Sequence, residues 1–125
     1  MVNKVTTATV IGLDAYLVSV ETDVLNGLPG FSIVGLPDAS INEARDRVRS
    51  AIKNSGFTFP AKKVVINLAP ADLKKEGSNF DLPIAVGLLT EEGVLEEENL
   101  KDYAFIGELS LDGTLRGVTG VLPLI

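Results

Sequence analysis

The spacing of apolar residues changes along this chain from every second residue to the helical period, and this change limits the fold class. Residues 15–24 alternate between an apolar set and a set that becomes polar, as in a half-buried strand. Residues 3–11 are rich in Val, Thr and Ile, and a turn at residues 12–14 predicts that the two segments form a hairpin. Between Ile41 and Ile52 the apolar residues follow helical spacing. Strands and helices must therefore share one core.

The first helix has two candidate starts. Ser40 and Glu43 form a capping box, and Asp38 is the alternative cap. Gly56 is placed to end this helix. A second helix is expected over residues 80–90, with Ser78 or Asn79 as its cap.

Four further segments are typical of strands. Short strands are expected at residues 31–34 and 63–68, and a hairpin at 104–109 and 115–118 around an Asp-Gly turn. The strand at 63–68 is almost continuously apolar, which predicts burial on both of its faces. Together these elements predict an α/β (α+β) fold in a single domain over residues 1–125, with helices packed on a mixed sheet.

Cys and His are both missing, and their absence excludes several kinds of site. The chain has no Cys, so it has no disulfide framework, thiolate zinc site or cysteine nucleophile. It has no His, so it cannot contain a Ser-His-Asp triad. No P-loop motif is present, which argues against ATP hydrolysis by this chain alone. No apolar run is long enough for a membrane helix and the N-terminus does not resemble a secretory signal, so we expect a cytoplasmic protein without membrane contact.

Most of the net charge of −6 comes from one local cluster of glutamates. The first 90 residues carry equal numbers of basic and acidic side chains, and five glutamates follow between residues 91 and 98. The charge distribution therefore predicts neither general repulsion of nucleic acid nor a broad basic surface that would attract it.

Two groups of cations are candidates for binding an anion. Lys74 and Lys75 lie in a long polar loop over residues 70–81 that leads into a helix N-terminus. Arg45 and Arg49 lie four residues apart on the first helix, with Arg47 and Lys53 beside them. The simpler interpretation, which the sequence alone favours, is that these side chains are solvated or form local ion pairs. The glutamate cluster likewise fits a solvated surface better than a metal site.

Several long segments resemble one family, the magnesium-chelatase-like AAA+ ATPases of the ComM/YifB competence-related group. The segments are GLPGFSIVGLPDA at 27–39, EARDRVRSAIKNSGF at 43–57, NLAPAD at 67–72, KEGSNFDLPIA at 75–85 and GELSLDG at 107–113. The resemblance covers nearly the whole chain, and such long segments are more specific than a short motif.

The resemblance implies an N-terminal domain with the ribosomal protein S5 domain 2-like fold, which the Lon protease domain shares. In the family this domain precedes an ATPase module that binds ATP and Mg, and members form rings in the bacterial cytoplasm. ComM-type members are linked to DNA recombination and branch migration. The apolar ending at residues 122–125 fits a chain cut from a longer protein. No cofactor is expected in this fragment.

The Lon likeness also raises a hydrolase hypothesis. Lon-type peptidases use a Ser in a Lys-Asp-Gly-Pro-Ser-Ala-Gly loop and a Lys further along the chain. Aligned on Gly77, that serine position holds Asn79, Ser78 is one residue early, and no Lys follows Lys101. Because Ser-Lys catalysis needs an amine to accept the hydroxyl proton, we expect no peptidase activity.

Three hypotheses follow. The favoured one is a non-catalytic domain that serves ring assembly or DNA or partner engagement, with Arg45, Arg49, Lys74 and Lys75 as contact candidates. The second is a degenerate Lon-like serine peptidase that uses Ser78. The third is a pure protein–protein interaction module.

Overall fold

A six-stranded mixed sheet organises the chain in the computed structural model, which describes residues 2–11 and 13–123. The elements in chain order are β1 (Val2–Ile11), β2 (Asp14–Leu25), β3 (Gly30–Val34), α1 (Ala39–Asn54), β4 (Lys63–Ala69), α2 (Asp81–Glu91), a 3-10 turn (Glu97–Asn99), β5 (Tyr103–Leu109) and β6 (Leu115–Pro123). Residue 12 of the predicted first turn and residues 124 and 125 of the apolar ending lie outside the described residues.

The strand order is β3-β4-β2-β1-β5-β6, which places the β1–β2 hairpin at the centre of the sheet. β1 and β2 are antiparallel with Val5 opposite Val20, and β2 and β4 are antiparallel with Val20 opposite Leu68. The β3–β4 and β1–β5 pairs are parallel, and β5 and β6 form an antiparallel hairpin. The α+β class with a mixed sheet is therefore confirmed.

Both helices cover the same face of the sheet. α2 packs against β1, β2 and β5, and α1 packs against α2 and the β3 side. The predicted apolar stripe of α1 is confirmed, because its buried residues are Ile41, Ala44, Val48, Ala51 and Ile52. No helix in the described part of the chain is long and apolar enough to span a membrane.

The prediction that β4 is buried on both faces is wrong. Val64, Ile66 and Leu68 are fully buried under the helices, whereas the alternate residues Val65 and Asn67 are only partly buried. Neighbouring strands lie on both sides of β4, but no helix among the described residues covers its second face. The apolar run therefore reflects a position between two paired strands, β3 and β2, and not a third layer.

The predicted helix caps also need correction. Asp38, the alternative, caps α1 because its Oδ1 accepts a hydrogen bond from the Ile41 N–H at 2.9 Å, and Ser40 lies inside the helix. Asp38 Oδ2 also accepts from the Gly77 N–H at 3.0 Å, a second bond that Ser40 does not make. The cap of α2 is Phe80, without a side-chain hydrogen bond, so neither Ser78 nor Asn79 caps it.

Gly87 allows α2 to approach the central hairpin closely. A Cβ atom at this position would lie 2.4 Å from Thr22 Oγ1 and 3.4 Å from Asn3 Oδ1. Asn3 Nδ2 donates to the Gly87 carbonyl at 3.0 Å, and Asn3 stands opposite Thr22 across the hairpin. Both of these side chains are buried.

We expect Gly87→Ala to destabilise the chain by about 1–3 kcal/mol, because overpacking outweighs the gain of about 0.5–1 kcal/mol that Ala normally brings to a helix. Urea unfolding measures this change. Thr22→Ala removes the atom in conflict, so the double variant should recover part of the loss. An equal cost of Gly87→Ala with and without Thr22 would contradict the packing explanation.

Candidate functional site

The exposed face of α1 carries three cations at helical spacing: Arg45, Arg49 and Lys53. Arg45 donates from Nε to the Asn42 carbonyl at 3.0 Å and from Nη1 to the Phe31 carbonyl at 3.4 Å. The Arg49 guanidinium lies 5.1 Å from the centre of the Phe59 ring. These contacts hold both arginines beside β3, which is an edge strand of the sheet.

A cleft of about 300 Å³ opens beside the C-terminal half of α1. We call it the basic cleft and define it by its lining residues, Pro29, Gly30, Arg49, Lys53, Phe59, Pro60, Ala61 and Lys62. Three of these residues are cations and none is acidic. Lys62 and Phe59 are not among the predicted site residues, because they lie between α1 and β4 and only the fold brings them beside the helix.

Lys75 is not available as a surface contact, which corrects its selection as a candidate. Its side chain is completely buried. Nζ donates to the Gly35 carbonyl at 2.7 Å and to the Pro70 carbonyl, and the backbone pairs with Leu36 and Asp38. Burial lowers the pKa of Lys75, and the charge of Asp72 opposes that effect. Lys75 therefore joins two loops inside the molecule and cannot reach a phosphate outside it.

Lys74 is exposed but lies apart from the basic cleft. Its loop is attached to the start of α1 through the pairing of Lys75 with Pro37. A helix rises about 1.5 Å per residue, so the start of α1 and Lys53 are separated by roughly 20 Å. The structure thus brings Arg45 and Arg49 onto one surface and leaves Lys74 near the opposite end of the helix.

Arg47 points away from that surface and binds a buried carboxylate. Its Nε donates to Asp81 Oδ2 at 2.7 Å and its Nη2 donates to Asp81 Oδ1 at 3.1 Å. Oδ2 also accepts from the Leu109 N–H at 3.0 Å, so one carboxylate links α1, α2 and β5. The hydrogen bond to Asp81 raises the pKa of Arg47. Arg47 is therefore part of the internal framework.

The Ser78 region does not form a Ser-Lys pair in the described residues. The side-chain amine of Lys75, which is close in sequence, donates to the carbonyls of Gly35 and Pro70. No group of three or more acidic side chains among the described residues is arranged to hold a metal ion.

Comparison with known proteins identifies the family of this chain. The family model for subunit ChlI of Mg-chelatase matches residues 20–125. The chain is 54% identical over 114 residues to competence protein ComM of Haemophilus influenzae, and 55% identical over 116 residues to YifB of Salmonella typhimurium. It belongs to the Mg-chelatase-like ComM/YifB family.

These ComM/YifB relatives are much longer than this chain. The match to ComM covers 91% of this chain and 22% of the relative, and the match to YifB covers 93% and 23%. A relative from Mycobacterium bovis is 45% identical over 114 residues and is covered to a similar extent, 23%.

Three of the segments that resemble the ComM/YifB family meet in the structure. Gly35 has a φ of 102°, and a Cβ there would lie 2.3 Å from the Leu68 carbonyl oxygen. This close turn presents the Gly35 carbonyl to Lys75, and Asp38 then binds the Gly77 N–H. All three segments thus contribute to a structural junction between the loops.

We expect Arg47→Gln to destabilise the ComM/YifB domain by about 3–5 kcal/mol, because it leaves Asp81 buried without its charged partner. Glu43→Gln is the matched control, since Glu43 is exposed and lies 3.8 Å from Arg47, and it should cost less than about 0.5 kcal/mol. Urea unfolding compares the two variants. Similar losses for both would show that Asp81 does not depend on Arg47.

Burial of Lys75 predicts a pH dependence of stability. Since its pKa is lowered in the folded state, the unfolded chain binds more protons between the folded-state pKa and the ordinary lysine value. The free energy of unfolding should therefore rise with pH in this alkaline window, relative to the Lys75→Met variant. Urea unfolding at a series of pH values measures the difference, and a constant offset between the two proteins would contradict it.

Proposed function

We propose that this chain is the N-terminal, non-catalytic domain of a Mg-chelatase-like AAA+ ATPase and that it contacts DNA through the basic cleft. The observation that carries the proposal is the convergence of Arg49, Lys53 and Lys62 on a cleft without an acidic residue. Phosphate contacts from Lys and Arg supply most of the non-specific affinity for nucleic acid. None of the residues that line the basic cleft is acidic, although Glu91 and Glu92 of the glutamate cluster line a neighbouring cleft that shares Lys62.

The rest of the parent protein is proposed from the relatives. Their additional length leaves room for an ATPase module that binds ATP and Mg and assembles a ring in the cytoplasm. Several copies of a weak basic cleft on one ring would bind a DNA strand with avidity. The name of the Haemophilus influenzae relative links that protein to competence, and we extend a role in DNA recombination or branch migration to this chain. We also propose the S5 domain 2-like fold shared with Lon.

The non-catalytic assignment is supported by the position of Lys75, the lysine nearest to Ser78 in sequence. A serine nucleophile requires a base that can accept its proton. Lys75 Nζ instead donates to two backbone carbonyls within the loop junction. A degenerate peptidase therefore has less support than a binding domain.

Binding of a protein partner is a second candidate function, and one observation favours it. An apolar groove of about 230 Å³ runs between α1, α2 and the β5–β6 hairpin. Phe57 and Leu115 in its lining are both partly exposed. Exposed apolar side chains that line a groove can be buried in an interface with another protein or with another subunit.

The DNA proposal predicts a specific loss of affinity. In the full-length protein, Arg49→Gln with Lys62→Gln should weaken binding to branched DNA by about tenfold and reduce the slope of log affinity against log salt by about 2. Lys4→Gln with Lys101→Gln is the matched control, because it removes the same charge from exposed sites outside the basic cleft. Fluorescence anisotropy across a salt series measures both quantities.

Lys74→Gln is tested separately, since the structure separates Lys74 from the basic cleft. Equal affinities of the cleft variant and its control would reject the cleft as the DNA contact. A loss of DNA affinity in Lys74→Gln alone would instead place the DNA contact near the other end of α1.

A further inference from the structure

Arg49 is held in place by an aromatic platform. Its guanidinium carbon lies 5.1 Å from the centre of the Phe59 ring, and Phe59 in turn contacts Phe31 at 5.4 Å between ring centres. Phe31 is buried in β3 and Phe59 is half-buried, so the platform belongs to the edge of the core. A guanidinium fixed in this way loses less freedom when it binds an anion than one on an unrestrained side chain.

The same contact limits what the basic cleft can recognise. The Phe59 face that Arg49 covers is not open to a stacked nucleobase, which is how many proteins bind single strands. The neutral lining residues Pro29, Gly30, Pro60 and Ala61 have no polar side chain, and the Gly30 N–H already donates to the Lys62 carbonyl at 3.3 Å. The side chains that line the cleft therefore offer cations but no amide or carboxylate of the kind that reads an adenine or cytosine edge.

The charges in the cleft complement a phosphate group. An arginine presents a planar fork that matches two phosphate oxygens, whereas lysines act as point charges. Arg49 supplies the fork, and Lys53 and Lys62 supply two point charges on the same cleft. A neighbouring cleft shares Lys62 but is also lined by Glu91 and Glu92, so the two adjacent clefts differ in their charge.

The geometry points to a phosphodiester subsite in the basic cleft, in which Arg49, oriented by Phe59, binds the nucleic-acid backbone without reading bases. This inference rests on the proposed DNA contact and specifies its chemistry. Arg49 binds phosphate oxygens directly, and Phe59 acts as a positioning residue. A generic electrostatic surface would respond only to the number of charges, whereas this subsite depends on the shape and orientation of the guanidinium.

The test uses the full-length protein and variants that keep the charge constant. Arg49→Lys should weaken binding to a single-stranded oligonucleotide by about fivefold, because the fork is lost although the charge remains. Arg116→Lys, at an exposed arginine outside the cleft, should have no effect. Phe59→Leu should weaken binding without changing the salt slope, since no charge is removed. Thermal unfolding checks that each variant is folded. If Phe59→Leu does not fold, the comparison of Arg49→Lys with Arg116→Lys decides whether the subsite exists.

Oligonucleotides of dT and dA of equal length test base indifference, and their affinities should agree within about threefold. Inorganic pyrophosphate should displace them, whereas polyglutamate at the same charge concentration should not. Equal effects of Arg49→Lys and Arg116→Lys, a strong preference for one base, or equal displacement by polyglutamate would each overturn the subsite. If the charge-removing cleft variant also leaves DNA affinity unchanged, the proposed DNA contact fails as well. If only the charge-conserving tests fail, that contact stands and the phosphodiester subsite alone is rejected.

Discussion

The bidentate ion pair between Arg47 and Asp81 fixes how the first helix faces the rest of the molecule. Asp81 is completely buried and also accepts a hydrogen bond from the Leu109 backbone, so the two helices and β5 are joined at one carboxylate. With Arg47 turned inward, Arg45 and Arg49 are left on the outer side of α1. The internal ion pair thus determines which arginines of α1 are exposed on the surface. Burying a charge pair is costly unless its hydrogen bonds are satisfied, and this pair has them from three elements.

Much of the fold could be predicted from the sequence because hydrophobic periodicity reports directly on burial. The stripe of α1 from Ile41 to Ile52 is the clearest instance, and the hairpin of β1 and β2 another. The cap of α1 was ambiguous, since Ser40 and Asp38 both suit an N-cap locally. The bond from the Gly77 N–H to Asp38 comes from a distant segment, and it distinguishes the two residues only in the folded chain.

The candidate site was harder to predict, for a physical reason. A sequence shows which residues carry charge but not which charges face solvent. Lys74 and Lys75 are adjacent and chemically identical, yet one is exposed and the other is completely buried against the Gly35 and Pro70 carbonyls. Conversely, Lys62 lies outside α1 in the sequence and lines the same cleft as Arg49 only in the folded chain. Tertiary contacts decide both outcomes.

The bond from Arg45 to the Phe31 carbonyl has a consequence for solubility. β3 is an edge strand, and an open edge can template the addition of a strand from another molecule and lead to aggregation. A guanidinium attached to that edge occupies one of its acceptors and places a hydrated positive charge where an incoming backbone would align. Arg45 thereby opposes the addition of a strand from another molecule at this edge of the sheet. Such protection matters most where many copies of a protein are held at high local concentration.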